Sequence, residues 1–149
     1  MKKAEIVCVG KIKEKFISDG ISEYKKRIGK YAELSITELV DQPREDVAVH
    51  IESKEILSKL DSYVILLDLK GKEISSEELS SSMEKAYLSY PKIQFVIGGS
   101  NGVDDSVRTK ANLIIRFGKV TYPHMLMRLI LCEQIYRAFS IAAGSPYHK

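Results

Sequence analysis

The spacing of apolar residues predicts five strands separated by helices. Strands are expected at residues 4–9, 34–40, 63–68, 93–97 and 112–117. The run at 63–68 is continuously apolar, which is typical of a strand covered on both faces. Residues 34–40 alternate apolar and polar side chains instead, which favours a strand near the edge of the sheet.

Apolar residues three and four positions apart predict the intervening helices at 14–31, 44–60, 75–90, 104–111 and 125–143. Ser75 and Glu78 have the spacing of a capping box. Residues 70–72 are expected to form a turn. The buried faces of the first, second and last helices are expected at Ile17, Ile21, Tyr24 and Ile28; at Val47, Ile51, Ile56 and Leu60; and at Leu129, Cys132, Tyr136, Phe139 and Ala143.

This alternation predicts a single α/β domain, residues 1–149, with a mostly parallel sheet flanked by helices on both faces. The last helix is the longest, and Leu126, Ile130 and Ile141 widen its apolar face beyond what one small sheet requires. A dimer interface and ordinary packing within the chain both account for this surplus.

Composition excludes several classes of protein. With 44% hydrophobic and 29% charged residues, the chain is neither disordered nor fibrous. No apolar run approaches the roughly 20 residues that cross a bilayer, and the charged start does not resemble a signal peptide. Cys8 and Cys132 lie far apart in apolar segments, so we expect buried free thiols and a reducing, cytoplasmic setting.

The net charge of +3 is small, but the basic residues are unevenly distributed. Residues 11–30 carry seven bases against three acids, and residues 117–149 carry four bases against one. These two basic regions permit a polyanionic partner without requiring one.

At residues 95–102 an apolar strand runs into two glycines, a pattern that lets backbone amides approach a ligand. A plain connection between a strand and a helix would look the same. Ser100, Val103 and Asp104 stand where the dinucleotide fingerprint and the P-loop need glycine or lysine. The histidines are too scattered for a metal site. We therefore expect neither nucleotide hydrolysis nor a bound metal.

Polar residues suited to catalysis concentrate in the last third of the chain. Two pairs lie four positions apart on the last helix, and the tail combines an aromatic, a titratable and a cationic residue. Each feature alone is explained by an exposed ion pair or a frayed terminus, so only their concentration favours a site. These residues are His124, Arg128, Glu133, Arg137, Tyr147, His148 and Lys149.

Two short motifs, Val9-Gly10-Lys11 and residues 23–27, begin a series that covers essentially the full length. Five further motifs follow between residues 67 and 149. They are Leu67-Asp68 with Gly71-Lys72, FVIGGSNG at 95–102, Thr121-Tyr122-Pro123-His124, the segment 133–139, and Pro146-Tyr147-His148-Lys149. Together they resemble the RlmH family, the ribosomal RNA pseudouridine N3-methyltransferases of the SPOUT superfamily. The chain is slightly shorter than usual within residues 41–60, and Gly118 and Val120 depart from the common residues.

The resemblance implies a C-terminal deep trefoil knot, a homodimer, S-adenosylmethionine as methyl donor, and a pseudouridine of 23S ribosomal RNA as acceptor, in the large subunit or the whole ribosome. The implied cofactor-binding residues are Leu67, Gly98, Phe117, Gly118, Lys119, Val120, Thr121 and Tyr122. The implied catalytic residues are His124, Glu133, Arg137, Tyr147 and His148, and the implied RNA contacts are Arg128 and Lys149. The tail is expected to complete the site of the partner protomer.

Methyl transfer from a sulfonium needs alignment and removal of the N3 proton rather than a metal. His124, Glu133 and His148 are candidate bases, and Arg137 with Arg128 would stabilise the developing negative charge. A valine at Gly98 is expected to block the cofactor by intruding on it. A non-catalytic ribosome-binding module remains the alternative function, and a small-molecule enzyme on an ordinary doubly wound sheet is a third.

Overall fold

A computed structural model describes the backbone of residues 1–149 and every side chain except that of Glu45. The predicted order of strands and helices is confirmed, with most boundaries shifted by a few residues. The elements are β1 (Lys2–Val9), α1 (Lys15–Ile28), β2 (Ala32–Leu39), α2 (Glu45–Lys59), β3 (Tyr63–Glu73), α3 (Ser76–Tyr87), β4 (Lys92–Ile97), α4 (Asp105–Lys110), β5 (Leu113–Arg116) and α5 (His124–Ala142).

The strands form one parallel sheet in the order β2-β1-β4-β3-β5. β2 lies at one edge, as its alternating pattern predicts. Helices cover both faces, because Ile6 and Cys8 of β1 pack in a core with α1, α3 and α5, whereas Val7 and Val9 pack with α2 and α4. The predicted fold class is therefore confirmed. Ligands of open parallel sheets bind beyond the carboxyl ends of the strands, so that margin is where a site is expected.

α5 lies between α1 and α3, and this widens its buried face. Leu129 packs against Gly20 of α1, and Ser80 of α3 donates a hydrogen bond to the carbonyl of Ala138 at 2.7 Å. The predicted face is wrong at Ala143, which is exposed, because a single stripe assumes one packing surface. None of the helices in the described residues is both long and apolar enough to span a membrane. The buried residues of α5 are Arg128, Leu131, Cys132, Ile135, Ala138, Phe139 and Ser140.

The turn predicted at residues 70–72 is wrong, because β3 continues to Glu73. Leu67 and Lys72 both pair with Ile115 of β5, so residues 68–71 bulge out of the ladder at the carboxyl margin. A Cβ atom on Gly71 would lie 2.6 Å from the backbone of Ile115. Glycine is therefore what lets β3 pass so close to β5.

The inward face predicted for α2 is wrong at Ile51, which is 36% exposed, while Glu52 and Ser53 are buried. Ser53 accepts a hydrogen bond from the amide of Asp104, and Glu52 accepts one from the amide of Gln42, each at 2.9 Å. Burial raises the pKa of Glu52. These polar residues face inward because they hold the loops that follow β2 and β4.

Candidate active site

A cavity of about 890 Å³ lies at the carboxyl margin of the sheet, within the usual range for small-ligand sites. Three segments form its walls: the bulge at residues 68–71, the glycine loop at residues 98–102, and the connection from β5 to α5. The apolar part of the lining comprises Leu67, Leu69, Phe117, Val120, Tyr122, Pro123 and Met127.

Glycines shape two of the three walls. A Cβ atom on Gly98 would lie 2.8 Å from the backbone carbonyl of Gly102, so the loop folds back on itself only because Gly98 has no side chain. Gly118 has a φ of +88°, a conformation that favours glycine. Gly98→Val was expected to block the cofactor by intruding on it. The structure corrects this reason, because a valine at this position would distort the loop itself.

An ion pair joins two walls of the cavity. Arg108 Nε donates to Asp68 Oδ2 at 2.8 Å, and the two side chains are only 19% and 11% exposed. Arg108 also donates to the carbonyl of Val103 at 2.9 Å. The hydrogen bond to Asp68 is the main reason that the pKa of Arg108 is raised. Since Asp68 lies in the bulge and Val103 follows the glycine loop, the pair holds these walls together.

His124, the first residue of α5, lines the cavity. Its Nε2 atom is buried and has no hydrogen-bond partner among the described residues. Burial lowers the pKa of His124, with nearby Asp41 opposing this change and Arg128 reinforcing it. The imidazole is therefore neutral at pH 7, and one ring nitrogen is available to a ligand.

Arg116, the last residue of β5, also lines the cavity. Its Nε atom is buried without a hydrogen-bond partner in the described part of the chain. Its Nη2 atom lies 3.4 Å from Glu73. Sequence reasoning missed Arg116, as it missed the pair of Asp68 and Arg108. The available signal was its place at the end of a strand, directly before the first residue of the implied cofactor loop, Phe117.

Arg128 is buried, with only 1% of its side chain exposed. Its guanidinium donates to Glu38 at 2.6 Å and to the carbonyls of Val9 and Gly10 at 3.2 and 3.0 Å. This burial contradicts the prediction that Arg128 contacts RNA. The residue instead anchors the start of α5, and with it His124, to the carboxyl ends of β1 and β2.

Glu133, Arg137, Tyr147 and His148 form a second group of polar residues, here named the tail cluster. Glu133 Oε2 accepts from Arg137 Nε and Nη2 at 3.0 and 2.7 Å, and from the Tyr147 hydroxyl at 2.8 Å. The Arg137 guanidinium stacks 4.8 Å from the centre of the Tyr147 ring. The hydrogen bond to Glu133 raises the pKa of Arg137, and burial raises that of Tyr147. The tail is thus docked on α5 rather than frayed.

His148 completes the tail cluster between a cation and an anion. Arg137 Nη1 lies 3.0 Å from His148 Nδ1, and His148 Nε2 lies 3.2 Å from Glu77. Arginine only donates hydrogen bonds, so Nδ1 must accept, and the proton of a neutral ring belongs on Nε2, facing Glu77. Both ring nitrogens of His148 are therefore occupied.

Comparison with known proteins supplies the family. A profile described as "Predicted SPOUT methyltransferase" matches residues 2–148. The chain belongs to the SPOUT methyltransferase family. The resemblance to the RlmH group is also confirmed by curated relatives named "Ribosomal RNA large subunit methyltransferase H". Those of Streptococcus equi subsp. equi (strain 4047) and Streptococcus pneumoniae (strain CGSP14) are 44% and 46% identical, each over 99% of both chains.

A solved structure supports the fold assignment alone. A probable methylase family protein from Haemophilus influenzae Rd KW20 matches 98% of this chain and 70% of its own, with a TM-score of 0.57 and 15% identity. The parallel sheet, its covering helices and the family match agree on the SPOUT α/β-knot fold.

The residues predicted for a SPOUT site fall into two places. Seven of the eight residues expected to hold the cofactor line the cavity, and the exception, Lys119, is exposed outside the lining. Of the expected catalytic residues, His124 alone lines the cavity. Arg137 is 13 positions further along α5, which corresponds to roughly 20 Å at about 1.5 Å per residue. Within one chain, the tail cluster does not meet the cavity.

Proposed function

We propose that this protein transfers a methyl group from S-adenosylmethionine to N3 of a pseudouridine in 23S ribosomal RNA, acting as a homodimer on the large subunit or whole ribosome. The supporting observation is its full-length similarity, at 44–46% identity, to relatives named as ribosomal RNA large subunit methyltransferases. The N3 position, the dimer and the ribosomal setting come from the family resemblance and are part of the proposal.

The cavity fits the donor by size and chemistry. Its volume of about 890 Å³ and its apolar walls suit an adenosine moiety flanked by bent backbone loops. Two buried nitrogens in the lining, Arg116 Nε and His124 Nε2, have no partner among the described residues, so a polar ligand would satisfy them. When bound, S-adenosylmethionine supplies an electrophilic methyl group on a positively charged sulfur.

The separation of the tail cluster from the cavity supports the dimer. In a two-fold dimer, contacts are reciprocal: residue i of one protomer meets residue j of the other, and residue j of the first meets residue i of the second. Such an arrangement can bring the tail cluster of each protomer to the cavity of its partner. Leu126 and Ile130 of α5 are half-buried, and Phe16 of α1 is 69% exposed, so apolar surface remains for such an interface.

Within this composite site the residues take different roles. Neutral His124, beside the cavity, would accept the N3 proton as the nitrogen becomes nucleophilic. Arg137, oriented by Glu133, would stabilise the negative charge that develops on the base. Glu133 and His148 are occupied by hydrogen bonds, which favours positioning roles for both. Lys149, exposed at the chain end, would contact RNA phosphate.

Incubation with ribosomes from a strain lacking this activity, together with tritiated S-adenosylmethionine, tests the proposal. We expect label in large-subunit RNA at one pseudouridine, and a reverse-transcription stop there, since an N3 methyl blocks base pairing. Label confined to other RNA or to protein would contradict the proposed substrate. Binding to ribosomes with no affinity for the donor would favour a non-catalytic binding module instead.

A further inference from the structure

Arg116 has an unsatisfied hydrogen-bond donor in the cavity wall. Its Nε atom is buried without a partner among the described residues, and the residue lines the cavity. An arginine N–H can only donate, and the guanidinium remains charged at any physiological pH. A buried donor of this kind is normally satisfied, so the wall matches a ligand that brings an acceptor to this point.

The charge of Arg116 is also weakly compensated by the protein. Its contact with Glu73 is 3.4 Å long, and the two side chains are 32% and 48% exposed, so solvent screens the pair. Arg108, the other arginine of the lining, differs in this respect, because it is bonded to Asp68, Asp105 and the Val103 carbonyl. Arg116 is therefore the lining arginine with capacity left for an anion.

We propose that Arg116 is a donor-binding residue that pairs with the carboxylate of the amino-acid end of S-adenosylmethionine. The inference rests on the proposed function, since it takes that molecule as the occupant of the cavity. Arg116 is half-buried at the end of β5, next to Phe117. This position suits a charged group that stays partly hydrated while the adenosine occupies the apolar lining. A guanidinium binds a carboxylate through charge-assisted hydrogen bonds.

Calorimetric titration with a matched pair of ligands tests this assignment. S-adenosylmethionine and its decarboxylated analogue differ in the group that Arg116 is proposed to bind. We expect the wild-type protein to bind the complete donor about 10- to 100-fold more tightly than the analogue, the range of a charge-assisted hydrogen bond. Arg116→Gln should lose that preference by weakening the complete donor alone, and Arg116→Lys should keep part of it.

Lys72→Gln is the matched control, because Lys72 is an exposed cation next to Glu73 and outside the cavity lining. It should retain the wild-type preference. Equal losses for both ligands in Arg116→Gln, or no loss, would overturn the assignment. So would unchanged donor binding with weakened ribosomal RNA binding, which would indicate a phosphate contact. If Arg116→Gln does not fold, equal wild-type affinity for both ligands would still contradict it.

Failure of this inference is distinguishable from failure of the proposed function. A wild-type protein that binds S-adenosylmethionine but shows no preference for its carboxylate refutes the role of Arg116 and leaves the methyltransferase intact. A wild-type protein that binds neither ligand refutes both.

Discussion

The two ends of α5 differ in how far their polar groups are satisfied. At the start of the helix, the cavity contains two buried nitrogens, on Arg116 and His124, without partners among the described residues. In the tail cluster, Glu133 accepts three hydrogen bonds on one oxygen, and His148 is engaged through both ring nitrogens.

This difference indicates different tasks for the two ends. Unsatisfied buried groups are costly, so two of them in the lining of one cavity favour ligand binding there. A fully bonded cluster is held in one geometry and can present Arg137 without reorganisation, which is what charge stabilisation in a transition state requires. Because one rigid helix carries both regions, they remain roughly 20 Å apart within a chain. In the proposed function, one catalytic site would therefore take residues from two chains.

Removing residues 147–149 should have the largest effect. The deletion removes Tyr147 and His148 from the tail cluster and leaves Arg137 poorly oriented. Charge stabilisation by Arg137, typically worth about 10²- to 10³-fold, is then impaired together with the RNA contact of Lys149, so methyl transfer should fall by about 10³-fold or more. Single-turnover transfer to ribosomes measures this loss.

Donor binding is the control for the deletion. The affinity for S-adenosylmethionine should change little, because the cavity lining contains none of these residues. Tyr147→Phe, which removes only the hydroxyl bonded to Glu133, should give a smaller loss of rate. A deletion that weakened donor binding as much as transfer would show that the tail belongs to the donor site.

His124→Ala should lower the transfer rate by about 10²- to 10³-fold at pH 7, as expected for loss of a general base. The neutral His124 ring accepts the proton. The transfer rate should therefore be at its maximum above the pKa of His124 and should fall as the pH decreases through that pKa. Burial lowers that pKa, which places the midpoint of the acid limb below the usual 6.5. A pH–rate profile of the variant that kept the same acid limb would exclude His124 as the base.

Arg108→Gln should have a smaller effect, on the cavity walls rather than on the chemistry. It breaks a half-buried, charge-assisted pair with Asp68, so we expect about 1–3 kcal/mol less stability towards urea and weaker donor binding. Arg44→Gln breaks an exposed pair of similar length, 2.9 Å to Asp46, and should cost about 0–1 kcal/mol. Equal costs for the two variants would contradict the role of the Asp68–Arg108 pair.

The order of elements was predictable because period and turn chemistry are local properties. The capping box of Ser75 and Glu78 forms as its spacing predicts. The extension of β3 was not predictable, because it depends on close contact between Gly71 and the backbone of Ile115, 44 positions away. Likewise, Glu52 and Ser53 of α2 face inward because they bind loop amides. The spacing of apolar residues does not predict such inward-facing polar side chains.

The candidate site was predictable where motifs carry it and unpredictable where charge depends on burial. The glycine loop and the connection from β5 to α5 both line the cavity, as the family resemblance implies. Arg128 and Arg116 look alike in sequence, as single bases among apolar residues. Each keeps one buried Nε atom without a partner in the described residues, but the fold buries Arg128 against carbonyls and Glu38, outside the cavity lining, and places Arg116 in that lining.

Mixing two inactive variants tests the composite site most directly. His124→Ala damages the cavity and Arg137→Gln damages the tail cluster, and exchange of subunits would give mixed dimers. If each site takes its cavity from one chain and its tail from the other, one of the two sites in every mixed dimer is intact. Random exchange should then restore about a quarter of wild-type methyl transfer. No recovery, once mixed dimers are demonstrated by mass spectrometry, would place the whole site within a single chain.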